Sequence, residues 1–290
     1  MSSNGHRRDY YNNANRLWWF CLIVLKKPFP AVAVAIVSVV IFSSVFGPLL
    51  APHDPIKTDL SFRLAPPSPQ YPLGNDALGR CLLSRILWGA RTSLGLSIAV
   101  VLFSSIIGVL TGLIAGYLGG FADELLMRIT DILFSFPEMV AAMAVAGLMG
   151  SGTVNLFLAL SFVGWMRHAR LVRGITLSVK ERHYVKAAQL SGVSKPAIIF
   201  RHILPANMPS VIVIATVALA KTVLAVSALG FLGFGVQPPF PEWGTLLMEG
   251  KDYILSAPHL SVYPGIAIML SVLSFNLLGD TLRDIWDSER

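Results

Sequence analysis

Lys221 is the sole Asp, Glu, Lys or Arg between Arg201 and Glu242, and a charge in such apolar surroundings is costly enough to mark a candidate functional residue. It could line a path for a solute or pair with a carboxylate on a partner chain; snorkelling towards an interface is the structural alternative. Covalent chemistry has no comparable candidate. The histidines His6, His53, His168, His183, His202 and His259 show no metal-ligand spacing on one helix, and neither H-E-x-x-H nor G-x-S-x-G occurs. No G-x-x-x-x-G-K-[ST] loop is present to hold nucleotide phosphates, so any hydrolysis of ATP must come from another polypeptide. The sequence therefore offers no catalytic residue, no metal ligand and no bound cofactor, and it lacks the paired ionisable relay expected of a proton-driven carrier.

The elements that would position Lys221 are membrane spans. Of the 290 residues 54% are hydrophobic and 13% charged, about half the charge of an ordinary soluble domain, in which it is roughly 25%. The net charge of +7 sits at the ends of apolar runs rather than on one soluble face, which argues for lipid contact and against nucleic acid. Uncharged stretches long enough to cross the hydrocarbon core predict spans near 29–50, 92–117, 134–149, 153–166, 209–230 and 260–278. The third and fourth are divided at Gly147-Leu148-Met149-Gly150-Ser151-Gly152. That division follows from charge: residues 1–28 carry five Lys/Arg and residues 167–207 carry eight. Both segments should face the cytoplasm, so an even number of spans must separate them. The expectation is an all-α protein with six spanning helices in one transmembrane domain, residues 29–290, with both ends inside and the first span acting as a signal anchor. Cys21 and Cys81 then lie on opposite sides of the first span and cannot pair.

Outside the spans, residues 1–28 form a cytoplasmic or interfacial segment. Leu17 to Leu25, with two Trp and flanking cations, reads as a helix lying on the inner leaflet or as an extension of the first span. The external segment 53–91 is rich in Pro up to Pro72 and looks helical from Asn75 to Arg91. In the second span Gly108, Gly112, Gly116 and Gly120 recur every four residues, a stripe where another backbone can approach. It serves either fixed packing or a sliding contact.

The cytoplasmic loop 167–207 holds the most informative pattern. Tyr184, Ala187, Ala188 and Ser191 fall at helical spacing, giving a face with small centres suited to another protein's groove. Gly192 can take the left-handed conformation that ends a helix, and Ser194 with Pro196 suits the start of the next.

This segment resembles the EAA loop of ABC importer permeases: Ala187-Ala188, Gly192 and Leu204-Pro205 stand at that family's spacing. Lys186 takes the place of the Glu that names the motif, and His202 that of the usual Ile. Three further stretches are similar to the C-type permease subunits of the peptide/nickel branch: Pro72 to Arg80, Phe231 to Gly244, and Phe275 to Asp284. The resemblance implies a type I importer permease in the bacterial inner membrane, carrying dipeptides, oligopeptides, nickel or other small polar solutes. It further implies a second homologous permease, two ABC ATPases that hold ATP and Mg, and an external solute-binding protein. Tyr184, Ala187, Ala188, Gly192, Leu204 and Pro205 would couple to the ATPases. Leu190-Ser191-Gly192 also resembles the start of the ABC ATPase signature, but without a phosphate loop that likeness carries no weight. The rival reading is a secondary, ion-coupled carrier working without ATPases.

Overall fold

The computed structural model describes residues 28–287, and among these every regular element is helical. Cys21 and the proposed interfacial helix lie outside the described residues. Helix α1 (Pro28–Leu50) is apolar on all sides; Val39, Phe42, Val45 and Leu49 face outward, while Gly47 lets it approach the next helix so closely that a Cβ there would lie 2.5 Å from the Leu87 carbonyl oxygen.

The chain then makes a proline-rich excursion. Asn75 to Cys81, expected to be helical, is instead a closed turn, because Asp76 Oδ1 accepts the backbone N–H groups of Leu78 and Arg80, both at 2.9 Å, and a local side-chain acceptor of this kind competes with helix formation. Helix α2 (Leu82–Leu118) follows; residues 82–91 are helical as expected and run without a break into the span expected from 92. Arg85, inside its first turn, would have argued against a span there. Its guanidinium has no exposure and bridges Asp76 and Glu249, as Arg80 also does at 2.6 and 3.0 Å.

Helices α3 (Gly120–Phe134) and α4 (Glu138–Met149) meet at an 89° bend around Pro137. The helix over the expected third span, 134–149, is thus shorter than drawn and begins after the bend. Gly150 (φ +84) and Gly152 (φ +144) turn the chain into α5 (Thr153–Lys180). That helix passes well beyond the expected end at Met166, so residues 167–180, expected to belong to a loop, are helical. Three short elements follow: α6 (His183–Leu190), α7 (Lys195–Ile198) and a π-turn (Ile199–Ile203). They lead into α8 (Leu204–Phe231), which begins before the expected start near Pro209. Helix α9 (Trp243–Gly250) and helix α10 (His259–Asp287) complete the described chain.

Among the described residues four stretches are long and apolar enough to cross a membrane: Ala31–Leu50, Leu82–Leu118, Lys195–Phe231 and His259–Asp284. The bent α3/α4 pair qualifies only jointly. Length and composition therefore support four or five of the six expected spans; α5 falls short because Arg167, His168, Arg170 and Arg173 interrupt it.

Two ends can be distinguished. At one, Glu242 caps α9 by accepting from the N–H groups of Gly244 and Thr245, both at 2.9 Å. It also accepts from Ser93 Oγ on α2 at 2.8 Å, while Trp243 Nε1 donates to the Ile86 carbonyl at 3.1 Å. At the other end α2 and α5 finish together beneath α6, with Lys180 Nζ donating to the Tyr117 carbonyl at 2.9 Å.

The seam between α2 and α5 is the most extensive helix contact. A Cβ at Gly108, Gly112 or Gly116 would lie 2.4 to 2.7 Å from atoms of His168, Ala169 or Thr176. Gly120 does not belong to this stripe. Helix α2 ends at Leu118, Gly119 (φ +66) and Gly120 (φ +57) turn the chain, and a Cβ at Gly120 would meet nothing within 4 Å.

This geometry separates two glycines on one helix. Gly112→Val should destabilise the folded chain by at least about 2–3 kcal/mol, as overpacking against backbone does. Gly95→Ala, which meets nothing within 4 Å, should be neutral or slightly stabilising. Thermal unfolding of the two variants in lipid nanodiscs checks the contrast, and equal midpoints would contradict the seam.

Candidate functional site

Helix α5 has 28 residues, so it is about 42 Å long at 1.5 Å per residue, longer than a hydrocarbon core of about 30 Å. Its far end carries α6. Arg182 is extended (φ −69, ψ 143) and breaks α5 from α6. Val185 is fully buried and packs with Leu113, Tyr117, Val172, Val179, Ile198 and Ile203, residues drawn from α2, α5, α7 and the π-turn. This seat fixes which face of α6 looks outward. Tyr184 is 45% and Leu190 91% exposed, and Ala187 and Ser191 are exposed with them.

Ala188 departs from the expected face. It is only partly open, because it lies on the Val185 side and packs against the same cluster. Gly192 matches its expected geometry: at φ +77, its N–H donates to the Gln189 carbonyl (3.1 Å), and the N–H of Val193 donates to that of Ala188 (3.2 Å). These are the two bonds of a Schellman closure. A Cβ at Gly192 would meet open space, so the glycine is needed for its backbone angle and not for clearance. Lys186 reaches back to Glu181 at 2.8 Å, both exposed. That hydrogen bond holds the Glu181 carboxyl below its ordinary range, and an exposed pair of this kind contributes little to stability. His202 lies near Tyr184, ring centroids 6.0 Å apart.

Leu204 and Pro205 open α8. Pro205 has no N–H to give, and the widened π-turn just ahead of it accommodates the missing bond. Two residues on, fully buried Asn207 donates from Nδ2 to the Ile203 carbonyl (2.9 Å) and to Thr176 Oγ1 on α5 (3.3 Å). The sequence carries no local signal for this tie between α8 and α5, because Thr176 lies 31 residues away.

The structure also joins α5 to the bent pair through three ion pairs that sequence reading missed. Arg167 meets Glu138 at 2.9 Å, Arg170 meets Asp131 at 2.6 Å, and Arg173 grips Asp123 with two nitrogens, Nη2 to Oδ2 at 2.7 Å. Arg170 also lies 4.2 Å over the Phe134 ring. The three-residue spacing of the arginines was the available signal, since it places them on one face of a helix. The bidentate, half-buried Arg173 pair is the strongest of the three, and the exposed outer pairs contribute less.

Lys221 lies on α8 beside a cleft of about 270 Å³, lined also by Ser104, Glu138, Arg167, His168, Leu160 and Leu224. Among the described residues it makes no hydrogen bond or ion pair. His168 is buried in the same wall, its Nε2 3.1 Å from Ser105 Oγ.

Residues 108–289 match the family described as the binding-protein-dependent transport system inner membrane component, and residues 23–67 match the N-terminal TM domain of oligopeptide transport permease C. The glutathione transport system permease protein of Pectobacterium atrosepticum is 45% identical over 76% of this chain and 73% of its own. The di/tripeptide transport system permease protein of Pseudomonas aeruginosa is 41% identical over 86% and 84%, and the probable D,D-dipeptide transport system permease protein of Escherichia coli is 38% identical over 97% and 93%. Among solved structures, the MetNI methionine ABC transporter in inward-facing conformations covers 68% of this chain and 94% of its own with a TM-score of 0.55 and 18% identity. That likeness is one of fold.

The seat of α6 can be loosened without touching its outer face. Val185→Ala removes roughly 1.5 kcal/mol of apolar burial, about 0.8 per methylene, so amide exchange across residues 183–190 should accelerate by about tenfold. Unchanged protection by hydrogen-exchange mass spectrometry would show that Val185 does not hold α6.

Proposed function

This chain belongs to the family of binding-protein-dependent transport system inner membrane components, a multi-pass permease subunit of the bacterial inner membrane, and from that premise we propose that α6 couples its helices to a separate ATPase while they form part of a path for short peptides. The family works with a partner permease, ATPases and a binding protein. In the proposed arrangement a second homologous permease completes the path, and two ATPases, which hold ATP and Mg, face the α6 end from the cytoplasm. The solute-binding protein meets the opposite end. The chain itself makes and breaks no covalent bonds.

One observation carries the coupling role. A short helix is anchored by a single fully buried side chain, Val185, at the shared end of α2 and α5, and it presents Tyr184, Ala187 and the almost fully exposed Leu190 outward. A solvated basic loop would not hold an apolar side chain in that position. Peptide is the substrate the relatives favour: those named above are permeases for glutathione, di- and tripeptides, and D,D-dipeptides. Tyr184, Ala187 and Leu190 would fill a groove on the ATPase, Gly192 would keep the helix end rigid, and Leu204-Pro205 would transmit its displacement into α8.

Gly192→Val tests this reading. A β-branched residue in the left-handed region is strained by about 1–2 kcal/mol, which should disorder the end of α6 and leave the seam intact. In the reconstituted importer, import of a labelled dipeptide should fall by at least about tenfold, and ATP hydrolysis should lose its stimulation by the loaded binding protein. Undiminished import would remove α6 from the coupling path.

A further inference from the structure

We propose that the cleft beside Lys221 is a transient site for a carboxylate-bearing solute, with the Lys221 ammonium receiving the carboxylate end of a short peptide; this rests on the reading of the chain as part of a peptide path. Lys221 on α8, Arg167 on α5 and Glu138 on α4 line the cleft together with the imidazole of His168 on α5. Glu138 is already engaged by Arg167 at 2.9 Å, and Lys221 has no partner among the described residues. Two cations and one carboxylate leave an excess of one positive charge in a cleft lined mostly by apolar residues. Such a charge within a spanning helix calls for an anion.

The shape of the cleft favours a solute over a fixed carboxylate on the neighbouring permease. A partner side chain needs no cavity, whereas here about 270 Å³ lies beside the ammonium, near the lower end of the roughly 300–1,000 Å³ of small-molecule sites. It has room for one end of a short peptide and not for a long one. Ala218, Thr222 and Ala225, on the same face of α8, are small enough to leave the ammonium accessible, and Val100, Val101, Leu160 and Leu224 supply apolar walls for a C-terminal side chain. A single charge contact with little shape constraint suits a site that must release what it holds.

The Glu138–Arg167 pair joins this cleft to the machinery at the α6 end. Glu138 begins α4 just after the 89° bend, and Arg167 lies on the same helix, α5, that carries α6. A displacement of α5 relative to α4 would therefore alter the charge beside the bound carboxylate. The site is thus placed to change its hold on solute as the ATPases close.

The test uses the complete importer, with both permeases, ATPases and binding protein, and a tripeptide of two alanines followed by a C-terminal diazirine analogue of leucine. Import of the probe into proteoliposomes by the wild-type complex is measured first; its absence would overturn the peptide reading and this inference with it. The importing complex is then irradiated during turnover and the adducts are mapped by mass spectrometry. Adducts are expected on cleft residues such as Val101, Met139 and Leu224. Their yield should fall by at least about tenfold in Lys221→Met, which removes the charge that would hold the carboxylate, and return in Lys221→Arg. Import with adducts outside the cleft, which needs no variant to detect, would overturn the site while leaving peptide import intact. An unchanged yield in Lys221→Met would do the same.

Discussion

The close approach of α2 and α5 governs the rest of the molecule. In lipid there is no hydrophobic gain from pushing two apolar helices together, so association depends on how near their backbones can come and on polar contacts between them. Gly108, Gly112 and Gly116 remove the side chains that would hold the helices apart, and each sits against backbone or Cβ atoms of α5. Small polar residues continue the seam: Gly164 faces Ser104, and Ser105 meets His168. The result is a stiff pair, and both helices are longer than the hydrocarbon core they would cross.

That stiffness gives the remaining contacts a common frame. At one end the pair carries Val185 and the α6 seat; along its side it carries Arg167, Arg170 and Arg173, which hold α3 and α4. At the opposite end it carries Arg85 and Ser93, which fix the turn at Asp76 and the capped start of α9. The buried Arg80, Arg85, Asp76 and Glu249 cluster is balanced in charge, and loss of one member of such a cluster leaves an uncompensated ion that destabilises far more than the pair itself contributes. Packed or ion-paired neighbours thus connect α6 with α4, the Lys221 cleft and α8.

Much of this was legible in the sequence wherever the signal was local. Glycines every four residues announce a close-packed face, and Gly192 announces a helix end because only that residue tolerates its backbone angle cheaply. What stayed hidden depended on partners distant in sequence. Residues 167–180 read as a charged loop because Asp123, Asp131 and Glu138, which neutralise their arginines, lie on other helices. The continuity of α2 through residues 82–91 was hidden for the same reason, since Arg85 is acceptable there only because Asp76 and Glu249 meet it. Gly120 fits the four-residue spacing but falls past the helix end set by Gly119, and Ala188 was turned partly inward by the burial of Val185, which no spacing rule singles out. Residues near Lys221 were likewise unreadable, since four separate helices build the cleft.

The claim on which the account stands is that α6 projects from the cytoplasmic side into an ATPase. Its most direct measurement places one cysteine at Leu190→Cys, in a chain whose Cys21 and Cys81 are replaced, and probes it with a membrane-impermeant maleimide. The account predicts labelling only in inverted vesicles, and protection once the ATPases are bound. Labelling in intact cells, from the outer face, would contradict it.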